Sequence, residues 1–195
     1  MKDMYIYGDS HAMLLFHDCK LDHTNFFQYA ITMHRIGRDS SIYNFKQEHN
    51  NSDRVFCIVY GEVDVRCHIG VQREKGREVD DICKELVTSY FKTIHTNITS
   101  YKQIIIIAIP PPVEKEDHTH GDHVPFIGTN AERVDYTNRM NRLIEELCKE
   151  YSYTYFNPFD LYKRENGCLK YELSDNCLHI GKNDHFLTEL DKVIL

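Results

Sequence analysis

Two short stretches, far apart in this 195-residue chain, hold the residue types that nucleophilic catalysis uses. In the first, the strand-like run Met4–Tyr7 leads straight into Gly8-Asp9-Ser10-His11. In the second, Ser174-Asp175-Asn176-Cys177-Leu178-His179-Ile180-Gly181 places a carboxylate four residues before a histidine. A serine hydroxyl attacks an acyl carbonyl only when a base takes its proton, and a histidine serves as that base when an acid fixes its tautomer. Taken alone, each stretch has a plainer explanation. Gly and Asp suit tight turns, and Ser is a favoured N-cap. The chemistry therefore depends on whether the fold brings Ser10, Asp175 and His179 together.

Three further stretches carry ionisable or glycine residues where strands should end. His34-Arg35-Ile36-Gly37-Arg38-Asp39 offers a glycine N–H at Gly37, with a loop glycine before a helix as an equal alternative. In Gly61-Glu62-Val63-Asp64-Val65-Arg66-Cys67-His68-Ile69 the polar residues alternate with apolar ones. An extended chain would put Glu62, Asp64, Arg66 and His68 on one side, as a site wall or as a solvated edge. Arg66 could face substrate, or pair with Glu62 or Asp64. The stretch Asp117–His123 packs three histidines and two aspartates into seven residues. Its spacing fits no zinc-finger or helical metal pattern, so it reads as a polar loop beside the site, and no metal or other cofactor is expected.

Composition narrows the classes. Hydrophobic residues make up 42% and aromatics 12%, which supports a packed globule, and the length suits one domain spanning 1–195. The net charge is −7 and no basic stripe appears, so nucleic acid is not an expected partner. The longest apolar run, Ile104–Ile109, is too short for a membrane span, and the first residues lack an apolar signal core. Seven cysteines without a C-x-x-C pair read as reduced, partly buried thiols. Together these features predict a cytoplasmic protein.

The elements that must position the candidate residues follow from periodicity. Met4–Tyr7, Val55–Tyr60, Ile104–Ile109 and Thr154–Phe156 are continuous apolar runs, as expected of parallel strands covered on both faces. Tyr29–His34 is a weaker fifth. Apolar residues at helical spacing mark Glu78–Ile94 and Asn130–Tyr151, and Asn183–Leu195 reads as a final helix. Alternating strands and helices predict an α/β protein: a three-layer α/β/α sandwich on about five parallel strands. In such sheets ligands bind beyond the carboxyl ends of the strands, where the candidate residues fall.

With Gly8-Asp9-Ser10 after the first strand and Asp175…His179 before the last helix, the chain resembles the SGNH/GDSL-type hydrolases, serine esterases and acylesterases on a flavodoxin-like fold. The resemblance spans nearly the whole chain. It implies Ser10 as nucleophile, His179 as base and Asp175 as its orienting acid. The family's common Asp-x-x-His spacing would instead align Asn176, but an amide cannot serve as a charged acceptor. A glycine N–H from the family's second block enters the oxyanion hole, and Gly37 is the candidate here. The third block is usually Gly-x-Asn-Asp, its asparagine donating to the oxyanion. Here it reads Gly61-Glu62-Val63-Asp64, and Val63 cannot donate. Loss of one such donor typically costs about 100- to 1,000-fold in rate. Arg66 or His68 could replace it. The G-E-x-D-x-R-x-H form looks like a divergent subgroup, often linked to glycan chemistry.

The resemblance thus implies a metal-independent serine esterase acting on a small-molecule or glycan ester, such as an O-acetyl group on a sugar. No long apolar lid of the kind a lipase would use is visible. The alternatives are a glycan-binding or scaffolding module with a vestigial site, and an O-acyltransferase sharing the same acyl-enzyme.

Overall fold

The computed structural model describes residues 4–117 and 124–195. Its centre is a five-stranded parallel sheet: β1 (Met4–Gly8), β2 (His23–Phe27), β3 (Val55–Val59), β4 (Gln103–Ile107) and β5 (Thr154–Phe156), in the spatial order β2-β1-β3-β4-β5. Helices α1 (Ser10–Leu15), α2 (Met33–Asp39), α3 (Ile69–Glu74), α4 (Val79–Asn97), α5 (Asn130–Tyr151) and α6 (Asp184–Val193) cover it. Side chains alternate across the strands. Met4, Ile6, Cys57, Val59, Ile105 and Ile107 face a core shared with Ala12 and Leu15 of α1 and Phe186 and Leu190 of α6. Tyr7, Phe56, Ile58, Ile104 and Ile106 face the other core, with α2, α4 and α5. The expected three-layer α/β/α sandwich is observed. No described helix is long and apolar enough to cross a membrane.

Two sequence expectations fail. The fifth strand is His23–Phe27, not Tyr29–His34. The latter stretch turns at Ala30, which takes a left-handed φ of 56°, and runs into α2. Thr32 caps that helix, its hydroxyl accepting from the Arg35 N–H at 2.9 Å. Extension would leave the first-turn N–H groups of Met33 and His34 without the Asp64 carboxylate that binds both, at 2.6 and 3.1 Å. His23–Phe27 is an edge strand with only two large apolar residues, so its sequence signal is weak.

The second failure is Glu62–Ile69. It coils rather than extends: Asp64–His68 form a π-helical turn that continues into α3. Helical geometry joins residues four apart, so Glu62 meets Arg66 and Val65 meets Ile69 in the core. The same polar pattern satisfies both periods over so short a stretch, which is why alternation pointed the wrong way.

Candidate active site

Ser10 is the first residue of α1, directly beyond the carboxyl end of β1. Asp9 caps this helix, its Oδ1 accepting from the His11 N–H at 2.8 Å. The Asp9 N–H in turn donates to the Val59 carbonyl of β3, which fixes the turn against the neighbouring strand.

Asp175 and His179 lie on a loop that closes on itself. Ser174 and Ile180 form an antiparallel bridge, and the Asp175 N–H donates to the His179 carbonyl at 2.9 Å. Gly181 permits this pinch, because a Cβ there would stand 2.7 Å from the Ser174 carbonyl oxygen. Asp175 Oδ1 accepts from the Cys177 and His179 N–H groups at 2.9 and 3.0 Å. That leaves Oδ2 for the His179 ring, 2.7 Å from Nδ1. Asn176 follows in a left-handed conformation, with φ 63°. The other ring nitrogen, Nε2, is 2.8 Å from Ser10 Oγ. Burial raises the Asp175 pKa, but the hydrogen bonds from the His179 ring and backbone and the Cys177 N–H outweigh it. The carboxyl is therefore held below its ordinary value.

The last segment grips α1 at both ends. His11 Nε2 lies 3.2 Å from the Leu178 carbonyl oxygen. Asn183 Nδ2 donates to the Leu14 and Leu15 carbonyls at 3.2 and 3.1 Å, satisfying the end of the helix. Residues 169 positions apart in sequence are thereby held within hydrogen-bond reach.

The remaining predicted site residues lie elsewhere. Gly37 is the fifth residue of α2, past the first turn, so its N–H belongs to the helical ladder. Its missing side chain lets α2 approach α4, since a Cβ would sit 2.6 Å from Ser89 Cβ. Gly61 is buried with φ +118°, turning the chain from β3 into the helical segment, and a Cβ there would meet Ile109 at 2.6 Å. Arg66 is an ion-pair partner: Nε donates to Glu62 Oε1 at 2.7 Å and Nη1 to the Pro125 carbonyl at 2.8 Å. His68 stacks on His34 with ring centroids 4.3 Å apart. Burial, then the neighbouring His34, pushes its pKa down to about 4. Asp64 caps α2, and burial pushes its carboxyl up to about 7 against the pull of the two N–H groups it accepts from. Of the polar stretch after the prolines, His118, His120, Asp122 and His123 lie outside the described residues. Asp117 pairs with Arg164 at 2.5 Å. Among the described residues no three His, Cys, Asp or Glu side chains converge as a metal site.

Two neighbours of the candidate site were not singled out from sequence. His11 is buried, its ring centroid 4.7 Å from that of His179. Its position directly after Ser10 was the only signal. Ala30 takes the left-handed conformation usual for glycine, in the turn after β2 whose Gln28 N–H donates to the Gly8 carbonyl. A non-glycine residue gives no sequence sign of that.

A scan against models of protein families found no match, and a search of curated proteins found none. Solved structures do match. The chain is similar to the OSK domain of Drosophila Oskar (TM-score 0.61, 11% identity, covering 96% of this chain and 86% of that one). It is similar to an extracellular lipase from Streptomyces rimosus (TM-score 0.58, 10% identity, 100% of both chains). A GDSL-like lipase from Bacteroides thetaiotaomicron matches at TM-score 0.58 and 11% identity, over 98% of this chain and 86% of that one. At these identities the likeness is one of fold: the chain shares the α/β architecture of these lipases and of the OSK domain.

Proposed function

We propose that the protein is a serine ester hydrolase. The observation that carries this reading is the continuous line Ser10 Oγ–His179–Asp175, with contacts of 2.8 and 2.7 Å at the two ring nitrogens. Ser10 attacks the acyl carbonyl while His179 Nε2 takes its proton. The imidazolium, held by Asp175, then gives that proton to the leaving alkoxide. Water, activated by the same histidine, releases the acyl group from Ser10. The Ser10 N–H, in the open first turn of α1, is one oxyanion donor. The backbone of the turn around Ala30 supplies the second, in place of Gly37.

The substrate in this reading is a small acyl ester on a polar scaffold such as a sugar. Tyr29, 59% exposed, supports it. It follows β2 at the same end of the sheet as Ser10, and its hydroxyl reaches Met13 Sδ of α1 at 3.6 Å. An exposed aromatic face beside a nucleophile suits a sugar ring. One observation favours a second reading, a binding module with a vestigial site: Val63 replaces the usual donor, and neither Arg66 nor His68 is free to stand in for it. An acyltransferase would share the acyl-enzyme and differ in the acceptor.

Intact-mass analysis after treatment with a fluorophosphonate separates these readings. The enzyme reading expects a single adduct, lost in Ser10→Ala, together with hydrolysis of p-nitrophenyl acetate that the same substitution abolishes. Asp9, not Ser10, caps α1, so Ser10→Ala keeps the cap and that variant should fold. Absence of both adduct and turnover in the intact protein would favour the binding module.

A further inference from the structure

Five ionisable side chains are buried within electrostatic reach of one another around the start of α1: Asp9, His11, Glu62, Asp64 and Arg66. Glu62 has its own cation in Arg66. Asp64 spends its oxygens on the α2 N–H groups. Asp9 is left with His11: Oδ1 lies 3.1 Å from His11 Nδ1, and Oδ2 has no hydrogen-bond partner among the described residues. The opposite nitrogen of His11 faces the Leu178 carbonyl oxygen at 3.2 Å. A carboxylate and a carbonyl only accept hydrogen bonds. A neutral imidazole has one N–H, so one of these contacts would set a lone pair against a lone pair. Only the imidazolium satisfies both.

We propose that His11 is a standing imidazolium and a positioning residue for His179, fixing its backbone through the Leu178 carbonyl and setting a positive charge beside its ring. The proposal rests on the reading of His179 as the base. Burial alone would lower the His11 pKa. The attraction and hydrogen bond of Asp9, the charge of Glu62 and the Leu178 carbonyl together leave it raised. The charged groups facing His11 are Asp9 on its own turn, Glu62 from the segment after β3, and His179 with its acid Asp175 from the last loop. Arg66 offsets Glu62. A second positive charge on His179, with ring centroids 4.7 Å apart, is disfavoured while His11 carries the first. Removing the His11 charge also uncovers the Asp9 carboxylate, and both changes favour protonation of His179.

Side-chain 15N NMR of the full chain tests this, with the His11 signals identified by their loss in His11→Gln. Both ring nitrogens of His11 should read as protonated at pH 7.5. A neutral single tautomer there overturns the proposal without any variant. In His11→Gln, whose amide can still donate to the Leu178 carbonyl, the His179 titration midpoint should rise by about one pH unit. Asp9→Asn/His11→Gln, which removes both charges, should bring it most of the way back. The acid limb of kcat/KM should follow the same order. An unmoved His179 midpoint, even with lower activity at every pH, would make His11 a packing residue only. If Ser10 proves unreactive the esterase reading fails, yet the NMR measurements still decide the charge on His11.

Discussion

Asp175→Asn should invert the His179 tautomer. Asp175 Oδ1 accepts two backbone N–H groups, from Cys177 and His179, at 2.9 and 3.0 Å. In the variant only the amide oxygen can take that place, because an NH2 group pointed at two N–H donors would clash electrostatically. The amide NH2 is then forced onto His179 Nδ1, where the carboxylate Oδ2 now lies at 2.7 Å. It donates to Nδ1, so the ring proton moves to Nε2, the nitrogen facing Ser10 Oγ. A protonated Nε2 cannot accept the serine proton. Inversion of this kind in a Ser-His-Asp system lowers kcat by roughly 10,000-fold, about 5.5 kcal/mol of transition-state stabilisation. Both backbone hydrogen bonds survive, so the thermal midpoint should shift by only a few degrees. The assay is kcat/KM on p-nitrophenyl acetate, with the fluorophosphonate labelling rate as a second readout. A folded Asp175→Asn protein keeping more than a tenth of wild-type kcat/KM would refute the assignment of the acid. So would an Asn176→Ala protein impaired more than Asp175→Asn.

Arg66→Met strands a buried Glu62 carboxylate, which should cost about 3 kcal/mol and roughly 10 °C of midpoint, while Glu62→Gln/Arg66→Met recovers most of it. If kcat collapses with the midpoint unchanged, Arg66 belongs to the site instead. Asp64 has a folded pKa of about 7 against an ordinary 3.8, so its protonated form stabilises the fold, fully below about pH 4, and that contribution fades as pH rises through 7. Measured by urea unfolding, the wild type should therefore lose about 2.5 kcal/mol relative to Asp64→Asn between pH 5 and 8, and a flat difference would show the carboxyl titrating normally. Gly37→Ala pushes against Ser89 and should lower the midpoint by several degrees with kcat intact; the reverse pattern would place Gly37 at the site.

The parts legible in the sequence were those with one physical solution. The runs Met4–Tyr7 and Ile104–Ile109 can only be buried strands in so polar a chain, and Asn130–Tyr151 carries both its apolar stripe and the Thr129–Glu132 capping box at its start. Asp175 and His179, four residues apart, could be paired from sequence because one short loop joins them. What was not legible depended on contacts between distant segments. Whether Glu62–His68 coils or extends is decided by Asp64 reaching the N–H groups of α2, some thirty residues away in sequence. Gly37 is small because Ser89 lies against it, and nothing in the local sequence names Ser89. The edge strand His23–Phe27 has no fully buried residue and so little hydrophobic signal to show.

The pinch at Gly181 and the 169-residue span from Ser10 to His179 bear on how the chain assembles its candidate site. Asp175 and His179 sit four residues apart, in a loop closed by its own backbone hydrogen bonds. Ser10, the nucleophile of the proposed reading, waits at the start of α1, and contacts of such high sequence separation are slow to form. During synthesis Ser10 is made long before His179 can reach it. On the esterase reading the chain passes through most of its assembly chemically silent. On that reading its reactivity should switch on only when the segment after residue 173 docks against α1 through His11 and Asn183. Serine labelling would then act as a timer for that final closure, reporting completion of the fold where spectroscopic probes of helix content have already levelled off.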